Sequence, residues 1–197
     1  KALNALGTGF IAHKNNQDLR NRLKAGALQK GDYYRQLLRL IYRLIFLFVA
    51  EDRDLLHVPG TPVEARSRYA RFYSGQRLRR MAERSRGSLH SDLWLSLRLV
   101  FQKLGCDSGC PELGLPALGG FLFGPEALAD LESSDISNEH MLMAIRFLGL
   151  VRDRSGWRLV DYRNLGSEEL GSIYESLLEL SPTMELEAGA FSLATVS

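Results

Sequence analysis

The most regular hydrophobic pattern in the chain runs from residue 32 to residue 50. Its apolar positions recur at helical spacing and are Tyr33, Tyr34, Leu37, Leu38, Ile41, Leu44, Ile45 and Phe48. This period predicts one α-helix with Asp32 as its cap. Near its end Phe46, Leu47 and Val49 fill the other faces, and a helix that is apolar all round lies at the centre of a fold. We therefore predict a long central helix covered by others on several sides.

Shorter helical patterns lie on both sides of this segment. Leu19 and Leu23 predict a short helix that ends at Gly26. Residues 61–64 (TPVE) resemble a capping box with proline at the first helical position. We expect Gly75 to divide the segment that follows into two helices.

Two further helices are predicted to begin at serine residues. Ser91 opens one, whose inward positions are Leu93, Trp94, Leu97, Val100, Phe101 and Leu104. Ser137 caps the other, with Ile136 and Met141 placed to form a hydrophobic staple. Glycine and proline are dense over residues 105–125, which predicts an ordered but irregular loop.

The hydrophobic period changes near residue 150. Two short apolar runs, 150–152 and 157–160, flank a polar turn and predict a small hairpin. Ser167 is the predicted cap of a last helix, whose buried face comprises Leu170, Ile173, Tyr174, Leu177 and Leu178. Residues 191–196 alternate like a strand, and the pattern offers them no partner within the chain.

These elements predict a mainly α fold, an irregular multi-helix bundle with a small β-hairpin near 150–160 and a short C-terminal strand. The predicted parts of the chain are a linker and short helix at 1–31, a helical domain at 32–149 with a basic segment at 66–86 and the Gly/Pro-rich loop at 105–125, and the hairpin, helix and strand at 150–197.

Composition narrows the class of protein only slightly. The 197 residues can form one sizeable core or two small ones, and 45% hydrophobic with 24% charged residues is ordinary for a globular protein. Two cysteines are too few for a disulfide framework, so we expect a cytoplasmic protein. The longest apolar run, 44–50, is too short to span a bilayer, and no membrane partner is expected. The chain starts without methionine, so we expect it to begin inside a longer polypeptide.

Metal and cofactor motifs are weak in this sequence. Cys106 and Cys110 would need about two further ligands to hold zinc, and the four histidines are isolated, so we predict no metal site. Residues 6–10 (LGTGF) contain two glycines but follow almost no chain, which favours a turn or linker over a cofactor loop. Residues 51–54 (EDRD) are interpreted as a structural ion network. We assign no catalytic and no cofactor-binding residue.

Arginine is the residue type whose distribution along the chain indicates a function. Eight arginines fall within one segment, opposed by Glu83 alone, and they are Arg66, Arg68, Arg71, Arg77, Arg79, Arg80, Arg84 and Arg86. Such a stripe suits the phosphate backbone of nucleic acid, although pairing with acids elsewhere in the fold is an equal alternative. Tyr69 and Phe72, interleaved with it, are expected to pack rather than stack on bases. Arg35, Arg39 and Arg43 form a second stripe, for which we expect internal pairing.

Three passages carry a resemblance to a known family. They are DYYRQLLRLIYRLIFLFVAEDRDLL at 32–56, VDYRNLGSEELGSIYESLLEL at 160–180 and EAGAFSL at 187–193. In this order and separation they resemble the region ahead of the catalytic domain in Eco57I-like adenine-specific DNA methyltransferases. These are fused restriction-modification enzymes and related phage-defence methylases. The resemblance covers most of the chain, and the Gly- and Pro-rich middle contributes little to it.

The resemblance implies a scaffold rather than an active site. It makes 32–149 a helical connector domain and 150–197 the lead-in to a methyltransferase domain that the sequence does not contain. The parent enzyme would use S-adenosylmethionine to methylate adenine N6 in double-stranded DNA, after flipping the base. The family's cofactor and Asn-Pro-Pro-Tyr motifs are both missing from this sequence. The expected partners are therefore DNA, through the parent, and the parent's own methyltransferase domain.

Two alternatives stay open at this stage. A helical protein-interaction module without nucleic-acid binding would use the same arginines on acidic protein surfaces or pair them internally. An autonomous enzyme with an unrecognised site would require a deep polar cleft with strongly perturbed acids.

Overall fold

We describe the protein from a computed structural model, which covers residues 1–154 and 156–195 apart from the side chains of Ser167, Tyr174 and Thr195. About 59% of the chain is helical, which confirms the predicted mainly α class. The helices are α1 (Ala2–Ala12), α2 (Gln17–Lys24), α3 (Lys30–Asp52), α4 (Val63–Phe72), α5 (Gly75–Arg84), α6 (Asp92–Gly105), α7 (Gly120–Phe123), α8 (Ala129–Glu132), α9 (Asn138–Gly149) and α10 (Ser167–Leu178). The strands are β1 (Leu150–Asp153), β2 (Gly156–Leu159), β3 (Leu180–Glu185) and β4 (Ala190–Thr195).

Helix α3 is the predicted central helix, and it is 23 residues long. Side chains on every face of it are buried, including Leu37, Leu40 and Leu47, which have no exposed surface. Burying each such side chain is worth about 1.5–3 kcal/mol. The predicted cap is wrong by three residues, because the helix begins at Lys30 with Gln29 at the cap position. Asp32 lies in the first turn, where the helix dipole favours a carboxylate.

Helix α1 corrects the predicted linker at residues 1–31. The glycines of the LGTGF segment lie inside this helix, not in a turn, and both face tight contacts. A Cβ added to Gly7 would lie 2.4 Å from the ring of Phe191. A Cβ added to Gly9 would lie 2.6 Å from the Cβ of His140 in α9. The glycines therefore allow β4 and α9 to approach the α1 backbone, a role that the sequence does not distinguish from a turn.

Helices α6 and α9 confirm the predictions at the two serines. All six predicted inward positions of α6 are buried. The Ser137 hydroxyl accepts a hydrogen bond from the backbone N–H of His140, and Ile136 and Met141 are both fully buried beside it. Trp94 of α6 donates its indole N–H to the Ser134 carbonyl at 2.9 Å. These contacts hold α6 and α9 together in the core.

Helices α4 and α5 separate at Gly75, as predicted. A Cβ at Gly75 would lie 2.9 Å from the ring of Phe48, so glycine allows the start of α5 to lie close to α3. The predicted capping box at 61–64 is wrong. Helix α4 begins at Val63 with Pro62 at the cap position, and the Thr61 hydroxyl donates to the Val58 carbonyl at 2.6 Å.

The region 105–125 is ordered and irregular, as predicted. It contains a 3-10 turn at Pro111–Leu113, an isolated bridge between Cys110 and Leu115, and the short helix α7. Phe123 connects this region to the core, since its ring lies 5.2 Å from that of Phe46 in an edge-to-face arrangement.

The two hairpins complete the fold. Strands β1 and β2 confirm the predicted hairpin and pair antiparallel with Leu150 opposite Leu159. The C-terminal strand β4 has a partner after all, because it pairs antiparallel with β3 over its full length. The sequence does not indicate β3, because Ser181-Pro182 marks the end of a helix in the pattern and proline is uncommon within strands. Phe191 of β4 is buried under α1, where its N–H donates to the Thr8 hydroxyl at 3.1 Å.

Helix α10 is more exposed than its pattern predicts. Ile173 is 38% exposed and Leu178 is 50% exposed, whereas Leu170 and Leu177 are half-buried. The predicted cap is wrong by one residue, because α10 begins at Ser167 and Gly166 holds the cap position. The contacts of the Ser167 and Tyr174 side chains lie outside the described residues. Within residues 1–154 and 156–195, no helix has the length and hydropathy needed to cross a bilayer.

Candidate nucleic-acid interface

Helix α5 carries four of the eight arginines of the segment, and acceptors from Ser74 and the end of α3 hold its first turn. The Ser74 hydroxyl accepts the N–H of Arg77 at 3.1 Å. The two oxygens of Glu51 accept the N–H groups of Gly75 and Gln76, each at 2.7 Å. These are the donors that a helix leaves free at its start. The end of α3 therefore fixes where α5 begins and which face it exposes.

Arg79 is buried and does not contact solvent, so its predicted place among the DNA-backbone residues is wrong. Its side chain is 2% exposed, and its guanidinium pairs with both carboxylate oxygens of Asp52. It also donates to the Val160 carbonyl at 3.1 Å and lies 4.9 Å from the ring centre of Phe48. A charge in such a place is stable only when paired, because removal from water is costly.

Four of the remaining arginines are partly occupied by local contacts. Arg66 pairs with Asp54 at 3.1 Å. Arg68 donates to the Glu112 carbonyl. Arg77 donates a long hydrogen bond of 3.4 Å to the Phe72 carbonyl. Arg71 lies over the Phe72 ring. Exposed pairs of this kind contribute at most about 1 kcal/mol and exchange readily with a phosphate.

The last three arginines of the segment are exposed and have no ion pair or hydrogen bond within the described part of the chain. They are Arg80, Arg84 and Arg86. Arg80 and Arg84 are one helical turn apart on α5, and Arg86 follows the helix end. With Glu83 as the nearby acid, this surface is strongly basic. We call Arg80, Arg84 and Arg86 the α5 arginine cluster.

The interleaved aromatic residues divide between core and surface. Tyr69 is buried, and its hydroxyl donates to Glu51 at 2.6 Å, so it packs as expected. Burial, with the adjacent Glu51 charge, raises the Tyr69 pKa well above its usual value. Phe72 is 50% exposed, against the expected packed position. It lies on α4 beside Arg71, which makes it part of the candidate surface.

The second stripe, on α3, pairs inside the protein as predicted at Arg43 but not at Arg35, which is exposed and pairs with Asp32 of its own helix. Arg39 lies between them in character and donates to the Ala127 carbonyl at 3.1 Å. Arg43 has no exposed side-chain surface, pairs with Glu132 at 3.0 Å and donates to the carbonyls of Leu122 and Gly124. Burial lowers the Arg43 pKa, and the Glu132 contact opposes that change. The stripe therefore fixes the irregular 105–125 region on α3.

Residues 51–54 form the interpreted structural ion network. Besides the contacts of Glu51 and Asp52, Arg53 donates to the carbonyls of Arg163 and Leu165, both at 2.9 Å. Burial raises the Glu51 pKa, although the Tyr69 hydroxyl and the backbone N–H groups oppose it. Both Glu51 oxygens are already hydrogen-bonded to these groups. A carboxyl group with a raised pKa does not provide the free base that an active site needs when both of its oxygens already accept structural hydrogen bonds.

Histidine–serine pairs in the fold are also structural in geometry. Nε2 of His13 lies 3.2 Å from the Ser91 hydroxyl, and its Nδ1 accepts the Asn15 N–H at 3.3 Å, so both ring nitrogens are engaged by neighbouring groups of the fold. The other pair belongs to the α9 cap. Within the described residues, no three His, Cys, Asp or Glu side chains converge as a metal site.

Sequence reasoning missed a second basic element next to α5. Arg146 of α9 donates to the carbonyls of Ala82 and Ser85 at the end of α5, both at 2.7 Å. Beyond it, the β1–β2 hairpin exposes three arginines and a tryptophan, which are Arg152, Arg154, Arg158 and Trp157. The signal available in the sequence was the number of arginines within this short segment. It was overlooked because each strand is only four residues long.

Comparisons with known proteins add no relative. No family model matches the chain, and no match is found among curated proteins or solved structures. The class of protein therefore has to be argued from the residues and their geometry.

Proposed function

We propose that this chain is a non-catalytic helical scaffold of an S-adenosylmethionine-dependent DNA adenine-N6 methyltransferase, and that it contacts the DNA backbone. The observation that carries the DNA contact is the α5 arginine cluster, three exposed guanidinium groups without acid partners in the described residues. Arginine on a phosphate releases condensed counterions, so such a surface favours nucleic acid.

The proposed contact positions the duplex without reading its sequence. Phosphate contacts fix register and orientation, whereas base contacts specify a site. Glu51 and Ser74 hold the first turn of α5 and so fix the position of the helix that carries Arg80 and Arg84. A basic face on a fixed helix is suited to holding DNA at a set angle to a catalytic domain.

The residues here do not fit S-adenosylmethionine. Gly7 and Gly9 are packed inside α1 against Phe191, His140 and Ile136, where no adenosine or methionine group can approach them. We assign the cofactor to the methyltransferase domain of the parent protein, and we place the protein in the cytoplasm with its DNA.

Helix α10 is the proposed contact with that methyltransferase domain. Ile173 and Leu178 are exposed, and Ile173 and Leu177 also line an apolar groove of about 440 Å³ with Phe147 of α9. Exposed apolar side chains beside such a groove are typical of a surface that packs against another domain.

The second candidate, a protein-interaction module, is favoured by one observation. Val63 is 77% exposed and Phe72 lies exposed on the same helix, so the basic surface of α4 has apolar neighbours. Aromatic and arginine side chains together are common at protein interfaces.

A DNA-binding titration separates the two candidates. The chain is titrated onto a fluorescein-labelled duplex, and anisotropy is followed from 25 to 200 mM salt. The DNA scaffold predicts weak binding that falls steeply as salt rises. No rise in anisotropy at the lowest salt, which means no binding of the duplex, would favour the protein-interaction module instead.

Calorimetry with S-adenosylmethionine tests the non-catalytic part of the proposal. We expect no heat of binding to the chain alone. Tight binding of the cofactor would contradict a scaffold and would point to an autonomous enzyme.

A further inference from the structure

The β1–β2 hairpin projects from the body of the protein. Only its root pair, Leu150 and Leu159, contacts the core, and the other described positions of β1 and β2 are largely exposed. A two-stranded hairpin has little stability of its own. Trp157 is nevertheless 49% exposed on it, which leaves a large apolar surface open to solvent.

Arg79 holds the hairpin root beside α5. Its guanidinium donates to the carbonyl of Val160, the residue after β2. Its aliphatic stem packs on Gly149, the residue before β1, where an added Cβ would lie 2.8 Å from it. Both ends of the hairpin therefore meet the same α5 side chain. The root of the hairpin therefore lies beside α5, the helix that also carries Arg80 and Arg84.

Arginines occupy both faces of the hairpin. Arg152 and Trp157 are paired opposite one another and so share a face, with the guanidinium 6.0 Å from the ring centre. Arg158 is on the other face, paired with Asp153 at 3.6 Å, and Arg154 is exposed in the turn. Three arginines against one aspartate make the hairpin a net cation that complements a polyanion.

We infer that the β1–β2 hairpin is a second DNA-contacting element, which enters the major groove of a duplex held on the α5 arginine cluster. The inference rests on the proposed function. A B-form major groove is about 12 Å wide and admits a two-stranded ribbon. In the groove, the arginines of the two faces reach phosphates on either side, and Trp157 packs on base edges and thymine methyl groups. A-form RNA has a narrow, deep major groove that excludes such a ribbon.

Tryptophan emission reports the hairpin directly. The chain has two tryptophans, and Trp94 is fully buried, so a change on adding DNA belongs to Trp157. We expect duplex DNA to alter the emission and to protect it from acrylamide, and Trp157→Phe to remove both effects. Melting of the variant checks that the fold is intact, and Trp157 is exposed enough to be replaced without loss of the core.

Charge and groove variants complete the test. Replacing Arg152, Arg154 and Arg158 by alanine should reduce the magnitude of the slope of log K against log salt by about 2 to 3, because each phosphate contact contributes about 0.9. Binding should also weaken on duplex RNA of the same sequence and on DNA whose major groove is filled by glucosylated hydroxymethylcytosine.

The outcomes separate the hairpin from the proposed function. Binding that depends on the α5 arginine cluster, with unchanged Trp157 emission and equal affinity for DNA and RNA duplexes, overturns the hairpin inference alone. Dependence on the hairpin arginines but not on α5 overturns the α5 contact and keeps the hairpin. Failure of the intact chain to bind duplex DNA overturns both.

Discussion

At the scale of single residues, neighbouring arginines of α5 have opposite surroundings. Arg79 is enclosed by Asp52, Phe48 and Val160, whereas Arg80 points to solvent with no described partner. The first is part of the core and the second is part of the candidate interface. A stripe of arginines in a sequence therefore mixes two functions, which only the helix phase and the position of Asp52 separate.

Substitution of Arg79 should unfold the protein more easily than substitution of Arg80. Arg79→Ala leaves the Asp52 carboxylate buried without its partner, which costs about 3–5 kcal/mol of unfolding free energy. Arg80→Ala, one position along, should change it by less than about 0.5 kcal/mol. Urea denaturation of both variants measures the difference. Equal stability of the two would show that the Arg79–Asp52 pair has no structural role.

His140 should make stability depend on pH. Burial lowers its pKa, with the nearby His13 acting in the same direction and Glu139 opposing it. The unfolded chain then binds the proton more readily than the folded one. The contribution of His140 is therefore present above its ordinary pKa near 6.5 and is lost as pH falls through the lowered folded value.

The pH dependence is measured by thermal melting of wild type and His140→Gln between pH 7.5 and 5. We expect wild type to lose stability relative to the variant as the solution is acidified. The exposed His90→Gln, made as a control, should follow wild type. A constant difference between wild type and His140→Gln across this range would disprove the assignment.

At the scale of elements, helix α1 shows how packing overrides local propensity. Glycine in a helix costs about 1 kcal/mol relative to alanine, yet α1 contains two glycines. Both lie where a Cβ would overlap a neighbour, so close packing against α9 and β4 compensates for the loss. Helix α10 contains Gly171 with open space around it, and there the ordinary propensity applies.

Alanine at the two kinds of glycine should change stability in opposite directions. Gly9→Ala forces α1 and α9 apart and should destabilise by about 1–3 kcal/mol. Gly171→Ala removes backbone freedom without a clash and should stabilise by up to about 1 kcal/mol. Chemical denaturation gives both signs. Stabilisation by Gly9→Ala would contradict the tight α1–α9 contact.

Helical period predicted α3, α6 and α9 well, because the buried positions of each recur at helical spacing, and serine marked the starts of α6 and α9. Prediction failed at two places for different reasons. Pro182 and the end of α10 obscured β3, although its pairing with β4 is a local hairpin. The burial of Arg79 depends on Asp52, 27 positions earlier, a relation with no local signal. The exposed α5 cluster was predicted as a segment but not residue by residue.

At the scale of the whole molecule, the end of α3 connects the structural parts that the proposal needs. Glu51 holds the start of α5, Asp52 pairs with Arg79, and Arg53 holds the segment leading to α10. Basic residues exposed on α5 and on the hairpin, and apolar residues exposed on α10, are thus all positioned from one helix end. The proposed scaffold would use this helix end to set the DNA-contacting and domain-contacting surfaces relative to one another.

A charge-matched comparison tests the α5 contact with DNA most directly. One variant replaces Arg80, Arg84 and Arg86 by alanine. The other removes three exposed charges around the start of α3, at Lys24, Lys30 and Arg35, where Arg35 is about 24 Å along the helix from Glu51. The two variants have equal net charge, so a difference in DNA binding reports the place of the charges.

Duplex affinity of both variants is measured by anisotropy over a series of salt concentrations. We predict that the α5 variant binds more weakly and that its slope of log K against log salt falls by about 2 to 3, whereas the α3 variant stays close to wild type. Equal affinities and equal slopes for the two variants would contradict the account.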